Sequence, residues 1–156
     1  MAWYVESVFY HIYPLGLTGA PAQNDYGEVV HRLPKLLPWI DHIKEIGCNF
    51  IRISHYPQDD ALLDACDELG LLAWEEIPII DIVPDTPGYD DHCEVNLVEM
   101  IRQHYNHPCI IAWGYMNEIL LIAPTPDKPE WPAVRDRTVK LAQRLEKRLK
   151  EEDPSR

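Results

Sequence analysis

An asparagine and a glutamate, Asn117 and Glu118, directly follow an apolar run over residues 109–116. A run that is apolar along its whole length is typical of a parallel strand covered on both faces. A carboxylate at the carboxyl end of such a strand can meet a ligand and exchange protons with it. Glu118 is therefore the first candidate for catalysis, and Asn117 is a candidate for hydrogen bonding to a substrate. The alternative is that Glu118 is a carboxylate at the sheet edge without a chemical role.

Polar side chains also close the two preceding strands. Arg52 and His55 stand at the end of one strand, and Glu75 and Glu76 end the next. Neighbouring parallel strands lie about 4.8 Å apart, so we expect Arg52, His55 and Glu76 to gather beside Glu118. Two alternatives remain open, namely that Arg52 and Glu76 form a buried ion pair without a catalytic part, and that His55 caps a loop. Glu75 is expected to face a helix or solvent.

Two tryptophans offer apolar surroundings for a carboxyl group of this edge. A carboxyl group in a hydrophobic pocket is more easily kept protonated, which suits a general acid. We expect Trp74 and Trp113 to provide such a pocket for a glutamate that lies away from Arg52.

The elements that must position these residues alternate regularly along the chain. Short apolar runs and period-3.6 hydrophobic patterns, with glycine and proline punctuation, predict four strand–helix pairs. The strands are predicted at residues 6–13, 49–54, 71–77 and 109–116, and the helices at 33–46, 59–69, 92–105 and 133–151. Asp59 is predicted to cap the second helix, and Gly47 and Gly70 to end the first and second. Pro38 indicates that the first helix starts near that residue.

This pattern predicts an α/β protein with parallel strands and outer helices. Eight such units typically need about 250 residues, so a chain of 156 residues holds a (βα)4 half of a TIM-type (βα)8 barrel in one domain. A half barrel leaves sheet edges open and an apolar face uncovered, and both features favour pairing. We therefore expect two copies to close an eight-stranded barrel as a homodimer.

Composition narrows the classes of function. The net charge of −12 argues against nucleic acid and anionic membrane as partners, because both require basic patches. No apolar run reaches the roughly 20 residues of a membrane span, and no signal peptide is visible, so a cytoplasmic location is expected. The four cysteines are spaced irregularly, and three of them lie in apolar contexts where buried free thiols are expected: the four are Cys48, Cys66, Cys93 and Cys109.

Four sequence words in order resemble the catalytic barrel of glycoside hydrolase family 2, which includes β-galactosidases and β-glucuronidases. They lie at residues 51–57 (Ile-Arg-Ile-Ser-His-Tyr-Pro), 63–78, 98–108 and 110–118 (Ile-Ile-Ala-Trp-Gly-Tyr-Met-Asn-Glu). The resemblance implies that Glu118 is the general acid/base and that Asn117 contacts the sugar 2-hydroxyl. It implies that Arg52, His55 and Glu76 line the substrate site.

Residues 1–49 instead resemble the beginning of the α-amylase family, glycoside hydrolase family 13, where they correspond to β1 and α1 of a barrel. Residues 50–156 correspond to the following three strand–helix pairs of family 2. Both segments fall at equivalent barrel positions, which predicts a chimera joined near Asn49 and Phe50. An engineered origin is favoured, and a natural fusion stays open.

The resemblance also implies what is missing. A metal site of some β-galactosidases needs an acid-x-His group where this chain has residues 80–82 (Ile-Asp-Ile), and His104 and His107 belong to an ordinary word of the family. No metal or cofactor is therefore expected. Retaining glycosidases need two carboxylates about 5–5.5 Å apart, and the family takes its nucleophile from strand seven.

These considerations predict a β-glycosidase barrel fragment that carries the acid/base but not the nucleophile. Its expected partner is a carbohydrate, and its activity is expected to be weak or absent. One alternative is an engineered half-barrel scaffold that has no catalytic function and assembles as a homodimer. Another is a module that binds sugar without cleaving it.

Overall fold

The computed structural model describes residues 9–11, 18–21, 30 and 32–156. The chain divides into two compact units, each considered by itself below. The first unit consists of Met1–Ser54, Gln58–Trp74 and His107–Ile111. The second unit consists of His55–Pro57, Glu75–Asn106 and Ala112–Arg156.

Strands and helices alternate in the predicted order. The strands are β1 (Phe9–His11), β2 (Phe50–Ile53), β3 (Leu72–Glu76) and β4 (Ile110–Gly114). The helices are α1 (Leu37–Glu45), α2 (Asp60–Leu69), α3 (Tyr89–His104) and α4 (Trp131–Glu152). This is an α/β arrangement of the kind that builds part of a TIM barrel.

The four strands form one sheet in the order β1-β2-β3-β4, and β1 runs parallel to β2. Within the first unit, the amide of Ala73 on β3 donates to the carbonyl of Cys109 at 2.7 Å. Within the second unit, the amide of Ile77 donates to the carbonyl of Gly114 at 3.1 Å. Residue numbers rise together along both partners, so β3 and β4 are parallel. Closure of the sheet by a second copy stays a prediction.

Helix α2 has the ends that its sequence predicts. The Asp59 carboxylate accepts a hydrogen bond from the amide of Ala61 at 2.9 Å, which satisfies one of the donors left free at a helix start. Gly70 follows the last helical residue with φ 66°, a left-handed conformation that glycine adopts without steric cost. The apolar side of the helix is buried at Leu62, Leu63 and Cys66.

The sequence predicts one helix over residues 33–46, but the structure divides this segment in two. The chain forms a 3₁₀ turn over Leu33–Leu36 and continues as an α-helix only from Leu37. Pro38 has no N–H and cannot donate to a preceding turn, so it is accommodated in the first turn of α1. The sequence therefore places the α-helical start near Pro38 correctly, and Gly47 follows the helix with φ 87°.

Helices α3 and α4 begin earlier than predicted, at Tyr89 and Trp131. Gly88 takes a left-handed conformation at the start of α3, and two aspartates in its first turn favour the helix through its dipole. Helix α4 buries one side, at Val134, Thr138, Leu141, Leu145 and Leu149. Its other side is charged, and no helix in the described part of the chain is long and apolar enough to cross a membrane.

Part of the predicted amino-terminal region lies outside the described residues. Residues 6–8 and 12–13 of the predicted first strand lie outside the described residues, and so do Gly16 and Gly27 of the following loop. The predicted α-amylase-like segment over residues 1–49 is therefore described only in part.

Candidate functional site

Strand β3 ends in two consecutive glutamates. Successive residues of a strand point to opposite faces of its sheet, so Glu75 and Glu76 diverge. Both are buried, with 0% and 1% of their surface exposed. A buried carboxylate requires a partner, and each of the two has a histidine.

Glu76 is paired with His55, which lies in the segment just after β2. The Nδ1 atom of His55 lies 2.5 Å from Oε1 of Glu76, and the His55 side chain is 20% exposed. The structure thus brings together two of the predicted site residues within the second unit. The contact gives His55 a specific partner, so the alternative of a simple loop cap is not needed to explain its position. Their part in binding a substrate stays a prediction.

Glu75 is paired with His104 on α3, as expected for a glutamate that faces a helix. His104 Nδ1 and Glu75 Oε2 are 2.7 Å apart, and their side chains are 4% and 0% exposed. His107, three residues further on, has its own carboxylate in Asp67, at 2.8 Å from Nδ1. The two histidines of the sequence word therefore serve different carboxylates.

Arg52 and Trp74 form a second polar cluster, within the first unit. The Arg52 guanidinium carbon lies 5.0 Å from the centroid of the Trp74 ring, within the range of a cation–π contact. The indole Nε1 of Trp74 is buried and has no hydrogen-bond partner among the described residues. A buried N–H without a partner is costly, so this donor is available to a ligand oxygen.

Asn117 and Glu118 follow β4 in an unusual turn. Asn117 is buried, its amide donates to the Ile79 carbonyl at 2.8 Å, and its own carbonyl accepts from Asp81 at 3.1 Å. These two bonds extend the pairing of the sheet beyond β4. Glu118 then adopts φ 47°, which costs a non-glycine residue about 1–3 kcal/mol, and its side chain is exposed.

A hydrogen bond stabilises that turn, from the amide of Leu121 to the carbonyl of Glu118 at 2.7 Å. The chain leaves the sheet abruptly at this point, so the Glu118 carboxylate lies at the carboxyl end of β4 and is open to solvent. Strain of this kind is concentrated at functional sites in proteins. The turn is the structural feature that sequence reasoning missed, because nothing in the residue types near Glu118 signals a left-handed conformation.

The expectation that Trp113 gives a glutamate apolar surroundings is wrong. The indole of Trp113 donates from Nε1 to Oδ2 of Asp153 at 2.9 Å, and the guanidinium carbon of Arg156 lies 5.4 Å from its ring centroid. Trp113 thus packs against the end of α4. Asp153 is fully buried, so its carboxylate requires hydrogen-bond donors, and the Trp113 indole is one of them.

The arrangement offers a ligand both proton transfer and hydrogen bonding. Glu118 is exposed and can give or take a proton. In the same unit, Glu76 and His55 form a fixed polar pair. Within the first unit, Arg52 and Trp74 offer a cation and an N–H donor. Polar groups of these kinds are the ones that bind a polyhydroxylated ligand.

Comparison with known proteins identifies a family. The sequence model described as "Glycosyl hydrolases family 2, TIM barrel domain" matches residues 23–156. The match passes through the predicted junction at Asn49 and Phe50, so residues 23–49 are included with the rest. Nothing in these comparisons shows an α-amylase-like segment.

The chain is similar to several characterised proteins. It superposes on the crystal structure of Bacteroides uniformis beta-glucuronidase with a TM-score of 0.73 and 67% identity, covering 76% of this chain and 14% of that one. It is 34% identical over 121 residues to the beta-glucuronidase of Bacteroides fragilis, covering 73% of this chain and 16% of that protein. It is 48% identical over 77 residues to the beta-galactosidase of Thermoanaerobacter pseudethanolicus, covering 49% and 10%. The chain therefore spans only a small part of these relatives.

Proposed function

Because the chain belongs to glycosyl hydrolase family 2, as part of the TIM barrel domain, we propose that it carries the acid/base part of a site that hydrolyses β-glycosides. The observation that supports this most is Glu118, exposed on a left-handed turn at the carboxyl end of β4. Active sites of barrel enzymes lie at that end of the strands.

Glu118 is proposed to act twice in each cycle. It first protonates the glycosidic oxygen as the leaving group departs, and it later removes a proton from the water that releases the sugar. General acid–base catalysis of this kind contributes about 10²–10⁴-fold to a rate. The exposure of the Glu118 carboxylate is compatible with both roles, since the proton must come from and return to solvent.

Asn117 and the His55–Glu76 pair are proposed to bind the sugar. Asn117 is the residue that the family resemblance relates to the sugar 2-hydroxyl, and its main chain is fixed by Ile79 and Asp81. Glu76 is buried beside His55 and is proposed to orient its imidazole, which is 20% exposed, towards a sugar hydroxyl. Arg52 is proposed to bind the same substrate.

The 156-residue chain by itself is proposed to hydrolyse glycosides slowly or not at all. A retaining mechanism requires a second carboxylate about 5–5.5 Å from the acid/base. Glu76 already has His55 as a partner at 2.5 Å, and the family resemblance assigns the nucleophile to strand seven. General acid catalysis without a nucleophile falls well short of the 10⁶-fold or more that enzymes reach.

The substrate proposed first is a β-glucuronide, because the beta-glucuronidase structure is 67% identical over the part that it shares with this chain. A β-galactoside is the second candidate, since a beta-galactosidase relative is 48% identical over 77 residues. Hydrolysis of nitrophenyl β-glucuronide and nitrophenyl β-galactoside in parallel distinguishes the two.

The test of Glu118 uses a longer protein in which this chain is joined to the remaining strands of a family 2 barrel. Glu118→Gln should slow hydrolysis of an alkyl glycoside by about 10²–10⁴-fold. It should slow hydrolysis of a nitrophenyl glycoside less, because that leaving group departs without a proton. The matched control is Glu99→Gln, an exposed carboxylate on α3, which should leave both rates unchanged. Equal rates for Glu118→Gln and wild type would exclude the acid/base assignment.

Self-association is proposed as the way in which the isolated chain covers its sheet. The strand order leaves β1 and β4 at the two ends of the described sheet, and open edges favour pairing. Sedimentation at micromolar concentration should show a dimer, and a strict monomer would contradict this proposal. Of the segment 1–49 that the sequence resemblance relates to the α-amylase family, residues 23–49 fall within the family 2 match, so that origin stays a prediction only for residues 1–22.

A further inference from the structure

Three potential metal ligands converge in the first unit, and none of them belongs to the proposed acid/base segment at Asn117 and Glu118. The ligand atoms of Asp67, His107 and Cys109 all lie within 4.8 Å of one another. No other group of three or more histidine, cysteine or acidic side chains in the described part of the chain comes as close. The three precede β4, whereas Asn117 and Glu118 follow it.

The fold positions these groups through main-chain and side-chain bonds. Asp67 stands in the last turn of α2, and one of its oxygens accepts from the amide of Cys109 at 2.7 Å. The other oxygen lies 2.8 Å from Nδ1 of His107. Asp67 thereby orients both of its neighbours, and a cation that binds here meets ligands that are already assembled.

The Cys109 thiol is the softest donor of the cluster. It is buried and lies 3.6 Å from the carbonyl oxygen of Leu63 on α2. A thiol binds a cation as the thiolate, so its proton leaves on binding, and binding should strengthen as the pH rises.

Two further aspartates give the cluster an acidic approach from solvent. Asp60 and Asp64 precede Asp67 on one side of α2, and their side chains are 75% and 68% exposed. Each has an oxygen 3.9 Å from a ring nitrogen of His107, Asp60 from Nε2 and Asp64 from Nδ1. Three carboxylates around a half-buried imidazole raise the local concentration of cations.

We propose that Asp67, His107 and Cys109 bind a zinc-class divalent cation, with water as the fourth ligand. One carboxylate, one imidazole and one thiolate are the ligand types that Zn²⁺ prefers. Bonds of about 2.0–2.3 Å in a tetrahedron place ligands roughly 3.3–3.7 Å apart, so side-chain adjustments of about 1 Å suffice. On binding, the thiol proton leaves to solvent. The ring proton of His107, which Nδ1 donates to Asp67 in the metal-free chain, moves to Nε2 on the side of Asp60, and this frees Nδ1 for the metal.

The experiment adds Co²⁺ to the purified chain under reducing conditions and records its absorption spectrum. A thiolate-to-cobalt charge-transfer band is expected for the wild type, since only a cysteine ligand produces it, and Zn²⁺ should abolish the band by competition. Cys93→Ser removes a buried thiol of the second unit and should keep the band. Cys109→Ser should lose it, and His107→Gln should weaken Co²⁺ binding at least tenfold while the thiol is intact.

Circular dichroism verifies that each variant is folded. If a variant is not folded, the Co²⁺ absorption spectrum of the wild type alone tests whether a thiolate binds the metal. A wild-type chain without the charge-transfer band, at saturating Co²⁺ and pH 8, would overturn the proposal. So would a band that persists in folded Cys109→Ser, or Co²⁺ binding that depends only on the exposed Asp60 and Asp64.

Discussion

The two faces of β3 carry the same pair of residue types in different surroundings. Glu75 is joined to His104 and Glu76 to His55, at 2.7 and 2.5 Å. The His104 side chain is 4% exposed, whereas that of His55 is 20% exposed. A ligand can therefore contact the His55 imidazole of the second pair but neither member of the first. The comparison shows that position, and not residue type, separates a structural contact from a candidate binding group.

The energetic roles of the two pairs should differ accordingly. Removal of one partner from a fully buried pair leaves the other as a buried charge or polar group without a partner. At a half-open pair, water can take the place of the lost group. We therefore expect the Glu75–His104 pair to govern stability and the Glu76–His55 pair to govern ligand binding.

The largest expected effect is that of His104→Ala, which should lower the free energy of unfolding by about 3–5 kcal/mol. His55→Ala should lower it by only about 1–2 kcal/mol, because water replaces the imidazole beside Glu76. Urea unfolding followed by circular dichroism measures both. Equal losses in the two variants would break the distinction between the faces.

Trp113→Phe tests whether the side of β4 that meets α4 behaves like the helix-facing side of β3. The change removes the indole donor of the buried Asp153 carboxylate and should cost about 1–3 kcal/mol. Trp39→Phe is the control, since Trp39 is an exposed residue of α1 and its substitution should cost less than about 0.5 kcal/mol. A Trp113 variant as stable as the control would contradict this assignment.

Asp59→Ala tests an exposed hydrogen bond, for comparison with the buried contacts of β3 and β4. The change removes the cap of α2 and should lower the free energy of unfolding by about 1 kcal/mol. Asp59→Asn keeps a side-chain acceptor and should be close to wild type. If the two substitutions are equally harmful, the charge of Asp59 matters more than its hydrogen bond.

The smallest effect concerns acid stability through Asp67 and Asp153. Burial alone would raise the pKa of each, but the hydrogen bonds to Cys109 and His107 lower the pKa of Asp67. Those from Ser155 and Trp113 likewise lower the pKa of Asp153. A lowered folded-state pKa gives stability that is complete above about pH 4 and is lost as the pH falls further.

Asp67→Asn and Asp153→Asn should therefore lower the midpoint of urea unfolding at pH 7 and flatten its fall between about pH 4 and pH 2. Midpoints measured along a pH series check this. A wild-type midpoint that does not change over that range would show that neither carboxylate contributes.

Local signals in the sequence were sufficient for much of the fold. Asp59 and Gly70 mark the ends of α2. The apolar runs locate both ends of β2, β3 and β4 to within two residues. The early start of α3 was missed because Gly88 acts through a left-handed conformation rather than through a side-chain cap. Such caps are set by backbone geometry, which residue types specify only weakly.

The long-range partners could not be predicted in the same way. Trp113 and Asp153 are 40 residues apart, and Glu75 and His104 are 29 residues apart. Period-2 alternation indicates that Glu75 and Glu76 diverge, but it does not identify which histidine each one meets. That choice depends on how the helices pack on the sheet, so the sequence predicted the His55–Glu76 neighbourhood but placed Trp113 in the wrong surroundings.

Calorimetric titration of the folded chain with a non-hydrolysable β-glucuronide analogue tests the division between the two pairs most directly. The wild type and His104→Gln, at a temperature where both are folded, should bind it with the same affinity, and Glu76→Gln should bind it at least tenfold more weakly. Binding that is unchanged in Glu76→Gln, or lost only in His104→Gln, would contradict the assignment of ligand recognition to the open face of β3.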